Sequence, residues 1–352
     1  MGLPEVRIEF IEKAVSAVQR SSRGIVALIL KDDTKPAGEV IYNSINEVVS
    51  SDWTAENKDY IEKTFLGVPS KVIIERIATT ATDYNAALSV LKNKRWNYLA
   101  IPNIASGDVL NIATWIKSCR DNDKKTFKAV LPNIAADHEG IINFCTDNIK
   151  VGAKTYLASE YTCRIAGILA GLPFTRSSTY YVLSEVEAIT ESDDPDEDID
   201  SGKLILINDG EKIKIARGVN SLTTTTSTKG EDFKKIRIIE AMDLVRDDIR
   251  DTFENDYAGK YVNKYDNKII FLAAVNSYFK ELVKENILDP SGDNIAEINI
   301  QAQRDYLQSK GVDISKLSEQ QIKEYNTGSK LFIRAQVKFL DAMEDLYFEI
   351  YI

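Results

Sequence analysis

Few residues in this chain have the type and spacing for acid–base or covalent chemistry. His138 is the only histidine among 352 residues, so a multi-histidine metal site is excluded and any imidazole mechanism rests on one ring. In PNIAADHEGIIN, residues 132–143, it reads as part of a helix's first turn with Asp137 near the N-cap. Cys119, Cys145 and Cys163 are odd in number and too far apart for a zinc knuckle or a redox pair, which predicts buried free thiols. The acidic run ESDDPDEDIDS, residues 191–201, has neither the sharp-turn glycine nor the closing glutamate of a calcium loop and reads as an exposed loop. No catalytic residue, cofactor site or metal site is assigned.

The elements that would position such residues alternate. GIVALIL, residues 24–30, is a continuous apolar run and predicts a central strand buried on both faces. Helices over 54–66, 83–92 and 106–122 alternate with strands over 71–77, 96–101 and 126–131, an α/β pattern with a parallel or mixed sheet. The strand-to-helix turns carry ATTATD (78–83) and PNIASGD (102–108) rather than a glycine-rich phosphate loop. Ser106 and Asp108 read as helix caps. A ligand pocket at the carboxyl ends of these strands, and with it an α/β enzyme or ligand-binding protein, stays open as the alternative.

Composition is that of an ordinary globular protein, 44% hydrophobic and 28% charged. A net charge of −10 leaves only Lys92, Lys94 and Arg95 as a basic patch, which argues against a nucleic-acid partner. The first residues lack the basic and apolar regions of an export signal, and the longest apolar run, 165–174, is about half of the ~20 residues that cross a bilayer. Synthesis in the cytoplasm without membrane insertion is expected.

Beyond residue 148 the chemistry thins further. Residues 161–171 have helical spacing, and Gly167 and Gly171, four apart, let another backbone approach one helix face. Residues 178–189 are rich in strand formers. Asn208-Asp209-Gly210 between the runs 204–207 and 212–215 predicts a hairpin, with an exposed backbone edge, and a Ser/Thr run follows over 221–228. Residues 231–257 predict a long amphipathic helix whose mixed-charge face is expected to be solvated. Further helices are expected over 268–284 and 295–309, and strand-like segments over 330–340 and 346–352. The last of these is apolar and aromatic throughout and needs a partner.

In this order, RIAGILAGLPFTRSSTY (164–180), INDGEKIKIARGVNSLTT (207–224), KKIRIIEAMDLVRDDIRDTFE (234–254), YAGKYVN (257–263) and KFLDAMEDLYFEIYI (338–352) resemble the C-terminal domain of contractile tail sheath proteins. Such proteins belong to phages and phage-tail-like bacteriocins. AVSAVQRSSRGIVALIL (14–30) is similar to the family's opening segment, while the acidic run at 191–201 has no counterpart in it. The resemblance implies an arm over 1–22, an α/β outer domain over 23–155 and an α+β sheath domain over 156–352 ending in a second arm. It implies a non-enzymatic homo-oligomer of stacked rings or a helical polymer, with an inner tube protein, baseplate and tail-terminator proteins as partners. Each arm would be a strand donated to a neighbour, through Val6, Ile8 and Phe10 at one end and Leu346, Phe348, Ile350 and Ile352 at the other. The expected tube-facing residues are Lys234, Lys235, Arg237, Arg246 and Arg250 of the long helix.

Overall fold

Six consecutive apolar residues, 25–30, force any strand they form to be covered on both faces. The computed structural model, which describes residues 18–20 and 23–352, makes them β1 (Ile25–Lys31), with every one of the six buried. The elements that follow are β2 (Gly38–Tyr42), α1 (Ala55–Phe65), β3 (Lys71–Ile77), α2 (Asn85–Leu91), β4 (Tyr98–Ala100), α3 (Ser106–Asp121), β5 (Lys128–Pro132) and β6 (Ile141–Phe144). After the antiparallel pair β7 (Ile149–Val151) and β8 (Lys154–Tyr156) come α4 (Ala158–Gly171), α5 (Pro195–Asp200), β9 (Lys203–Leu204), β10 (Leu206–Asn208) and β11 (Ile213–Ile215).

The main sheet has the order β2-β3-β1-β4-β5-β6-β9, and its one antiparallel pairing is that of β2 with β3. Val26, Leu28 and Leu30 point into a core with α1 and α4, whereas Ile25, Ala27 and Ile29 point into a second core with α2 and α3. The period-2 pleat thus splits one apolar run between two layers. The glycine spacing in α4 works as expected. A Cβ on Gly167 would lie 2.1 Å from the Thr64 carbonyl oxygen, and one on Gly171 would lie 1.8 Å from that of Gly67, so α4 rests directly on the backbone at the end of α1.

Four local expectations are corrected. Residues 133–140 form turns rather than a helix, with Asp137 at φ 48°, so His138 is not in a first helical turn. The acidic run is not a plain loop, because Asp194 accepts the Glu197 N–H, Pro195 opens α5, and Asp196, Glu197 and Asp198 fill the turn where the helix dipole favours anions. Residues 178–189 contribute isolated bridges and hydrogen bonds rather than a strand. Ser106 is the first residue of α3, whose N-cap is Ala105.

By compactness the chain divides into Ser22–Leu244 with Asp341–Ile352, and Met1–Ser21 with Val245–Leu340. The cut falls within α6 (Ile236–Thr252), and β9 joins the main sheet beside β6. The second unit contains the π-helical turn Phe253–Tyr257, α7 (Tyr265–Lys284), β12 (Ile295–Ile298), α8 (Ile300–Ser309), α9 (Glu319–Glu324) and β13 (Ile333–Gln336). β12 and β13 pair antiparallel, so the helix expected over 295–309 is a strand followed by a helix, divided at the N-cap Asn299. Among the described residues no helix is long and apolar enough to cross a membrane.

Candidate functional site

Residues 341–352 carry no strand pairing among the described residues. Leu346, Tyr347, Phe348, Ile350 and Tyr351 are between 72% and 94% exposed, and Ile352 is fully exposed. A run of large apolar side chains left in water is unusual in a folded protein, and patches of this kind are where interaction surfaces are found. Val6, Ile8 and Phe10 lie outside the described residues. Just before the exposed run, the chain is held. Asp341 pairs with Lys235, Glu344 accepts from Ser177 Oγ (2.7 Å) and Thr179 Oγ1 (2.6 Å), and Asp345 pairs with Arg217.

The hairpin forms where Asp-Gly predicts it. Asp209 N–H donates to the Lys212 carbonyl (3.1 Å), Gly210 takes φ 94°, and β10 and β11 pair in the register Leu206↔Ile215. The Asp209 carboxylate, well below its ordinary pKa, is held there first by Lys214 and then by the Glu211 and Lys212 N–H groups. The outer edge of β11 is not open, since Tyr180 and Leu183 donate to the Ile215 and Ile213 carbonyls and Ile215 donates to Tyr181. β10 has no third strand beside it among the described residues, although the Leu206 N–H on its outer edge donates to Thr146 Oγ1 (2.8 Å).

The five basic residues do not form one face. Lys234 ends a 3-10 turn and pairs with Glu231 (2.9 Å), and Lys235 is taken by Asp341. Arg237 is half-buried, with Nε donating to the Phe174 carbonyl (3.1 Å); burial lowers its pKa. Arg246 is exposed, and Arg250 pairs with Asp247.

Nor is the acidic side of α6 solvated. Asp243 is buried and accepts both Arg120 Nη1 (2.8 Å) and Nη2 (3.0 Å) together with Lys128 Nζ (3.0 Å). Glu240 pairs with Lys128 (2.9 Å) and with Arg23 (2.7 Å). Burial works against ionisation of both carboxylates, yet their basic partners hold Glu240 down to about 2 and Asp243 lower still. Sequence spacing offers no sign of this cluster, because the partners lie 115 and 123 residues apart.

The remaining chemical candidates are structural. His138 is buried, its Nδ1 accepts the Gly140 N–H (2.9 Å), and burial lowers its pKa. Burial also raises the thiols of Cys119 and Cys145 to about 11 and that of Cys163 to about 12, which makes them poor nucleophiles. An open concavity of about 390 Å³ does lie at the carboxyl ends of β4 and β5. The one charged group lining it, Asp147, is engaged in accepting the Ala158 N–H (2.7 Å) at the start of α4.

Comparison with known proteins agrees with this picture of a molecule whose unusual features are surfaces. Residues 78–221 match the family profile of the phage tail sheath protein central domain, and residues 228–352 that of the phage tail sheath C-terminal domain. The chain is 41% identical to the tail sheath protein of Clostridium phage phiCD119, over 98% of each. It is 27% identical over 179 residues to the phage-like element PBSX protein XkdK of Bacillus subtilis, covering 49% of this chain and 38% of that protein. Among solved structures it shares its fold with the sheath tail protein of Desulfitobacterium hafniense, at TM-score 0.68 and 15% identity over 81% of this chain and 91% of that one. It also shares it with the helical sheath of the anti-feeding prophage in its contracted state, at TM-score 0.71 and 12% identity over 100% of this chain and 99% of that one. The chain belongs to the phage tail sheath family and is a structural sheath subunit.

Proposed function

We propose that the chain polymerises around an inner tube, as stacked rings or a helix, and shortens to drive that tube through a target envelope without any chemical step of its own. A difference of a few kcal/mol between two packings of each subunit, summed over many subunits, supplies the work. Synthesis is in the bacterial cytoplasm, and baseplate and tail-terminator proteins bound the polymer.

The observation that carries this reading is the exposed, unpaired segment at residues 346–352. Leu346, Phe348, Ile350 and Ile352 alternate along it, so as an extended strand they share one face that pairs with a neighbour. β10, with no third strand beside it among the described residues, is the accepting edge, chiefly at its Asn208 end because the Leu206 N–H is held by Thr146. Burying four such side chains yields about 6–12 kcal/mol. Ordering the backbone of residues 346–352 costs about 7–14 kcal/mol. The two nearly cancel, so a single arm binds weakly and many arms hold a polymer. Val6, Ile8 and Phe10 are the matching donors from the other arm.

Of the five basic residues, exposed Arg246 is the strongest tube contact, with Arg250 beside it. Deleting residues 346–352 tests the reading. The variant should stay folded and lose polymers in sedimentation and negative-stain images, and unchanged polymers would remove strand donation.

A further inference from the structure

We infer that residues 341–345 form an anchor that sets both the exit point and the face of the donated strand, with Glu344 as its pivot. The occupant of that strand is a second copy of this chain, so the inference rests on the strand-donation reading above.

The contrast along the segment is abrupt. The Glu344 side chain is 11% exposed, whereas Met343 and Leu346 on either side are 103% and 86% exposed. Glu344 Oε1 accepts from two hydroxyls, Ser177 Oγ and Thr179 Oγ1, and its other oxygen lies 3.5 Å from Arg217 Nε. Arg217 also takes Asp345, and Lys235 takes Asp341, so two cations of the rim grip three acids of the segment. The gripping side chains are themselves tied down. Thr179 Oγ1 accepts the Gly218 N–H (2.9 Å), and Tyr180 is bonded to β11. Charge-assisted bonds of this kind fix direction as well as position.

The anchor also carries positional information. Leu346, Phe348, Ile350 and Ile352 all stand an even number of residues from Glu344. In an extended chain they therefore point the way Glu344 points, towards the surface that holds it. Moving the anchor by one residue would present Tyr347, Glu349 and Tyr351 instead, because a one-residue slip exchanges the faces of a strand.

The experiment compares polymer formation by sedimentation, with melting temperature as the check on folding, in six chains: wild type, a deletion of 346–352, one Thr inserted after Asp345, two Thr inserted there, Glu344→Ala and Glu344→Gln. Glu344→Gln serves as the conservative variant, since its amide oxygen still accepts from Ser177 and Thr179. The anchor predicts that one inserted residue reduces polymer by about tenfold or more while two restore most of it, following the strand's period of two. Glu344→Ala should reduce polymer with an unchanged melting temperature, and Glu344→Gln should recover part of the loss. If the deletion abolishes polymer but one and two inserted residues behave alike, or Glu344→Ala assembles normally, the anchor is overturned while strand donation stands. If the deletion itself assembles normally, strand donation fails.

Discussion

β6 and residues 346–352 are both short runs of large apolar side chains, and the protein treats them in opposite ways. Ile141, Ile142 and Phe144 of β6 are fully buried, with β5 on one edge and β9 on the other. Phe348 and Ile350 are 74% and 72% exposed with no strand beside them among the described residues. Apolar content is similar in the two, so it does not decide which is buried. What differs is whether the described residues include a strand beside the run, which is why the proposal above has another copy of the chain supply one.

The contrast breaks or sharpens under substitution. The largest expected effect on the folded subunit is Asp243→Ala, which takes from buried Arg120 its bidentate carboxylate and from Lys128 one of its two carboxylate partners, and should cost about 3–5 kcal/mol in chemical denaturation. Next is Gly167→Ala. In an ordinary helix interior that change gains up to about 1 kcal/mol. Here the added methyl meets the Thr64 carbonyl, so the unfolding free energy from urea denaturation should instead fall, by about 1–3 kcal/mol.

A smaller effect is set by pH. Burial lowers the pKa of His138, so below its ordinary value near 6.5 the unfolded chain binds a proton that the folded chain refuses. Stability should therefore decline as pH falls from 7 through 6.5 towards the folded value, and His138→Gln should flatten that slope in denaturation series at pH 7 and 5.5. Smallest of all is the combined change Leu346→Ser, Phe348→Ser and Ile350→Ser. It should leave the melting temperature of the isolated subunit unchanged, because nothing among the described residues buries these side chains, and should still abolish polymer. A clear loss of subunit stability would show that the arm packs on its own chain and would erase the contrast with β6.

Much of the fold was legible from local pattern. The unbroken apolar run of β1, the Asp-Gly turn at 209–210 and the Gly167/Gly171 spacing each carry their reason within a few residues. Turn and helix-start chemistry was harder to read. Asp137 takes a positive φ and caps nothing, while its carboxylate accepts the backbone N–H groups of Thr223 (2.8 Å) and Thr224 (2.9 Å), far along the chain. The candidate site was half legible. The alternating arm could be seen, but not the acids and hydroxyls that hold its base.

The sequence by itself determined that the chain has one strand to bury completely, a hairpin of defined turn, a helix face open to close backbone approach and an apolar segment in need of cover. Periodicity and turn chemistry express these over two to four residues. Only the tertiary structure decided where the charges go. It buried Asp243 against Arg120 and Lys128, gave the expected tube-facing Lys235 to Asp341 and Arg217 to Asp345, and closed the outer edge of β11 with residues 180–183. The physical reason is that an ion pair or a strand edge is satisfied by whatever the fold brings within about 3 Å. For Lys235 and Arg217 those partners lie 106 and 128 residues away, beyond the reach of any local pattern.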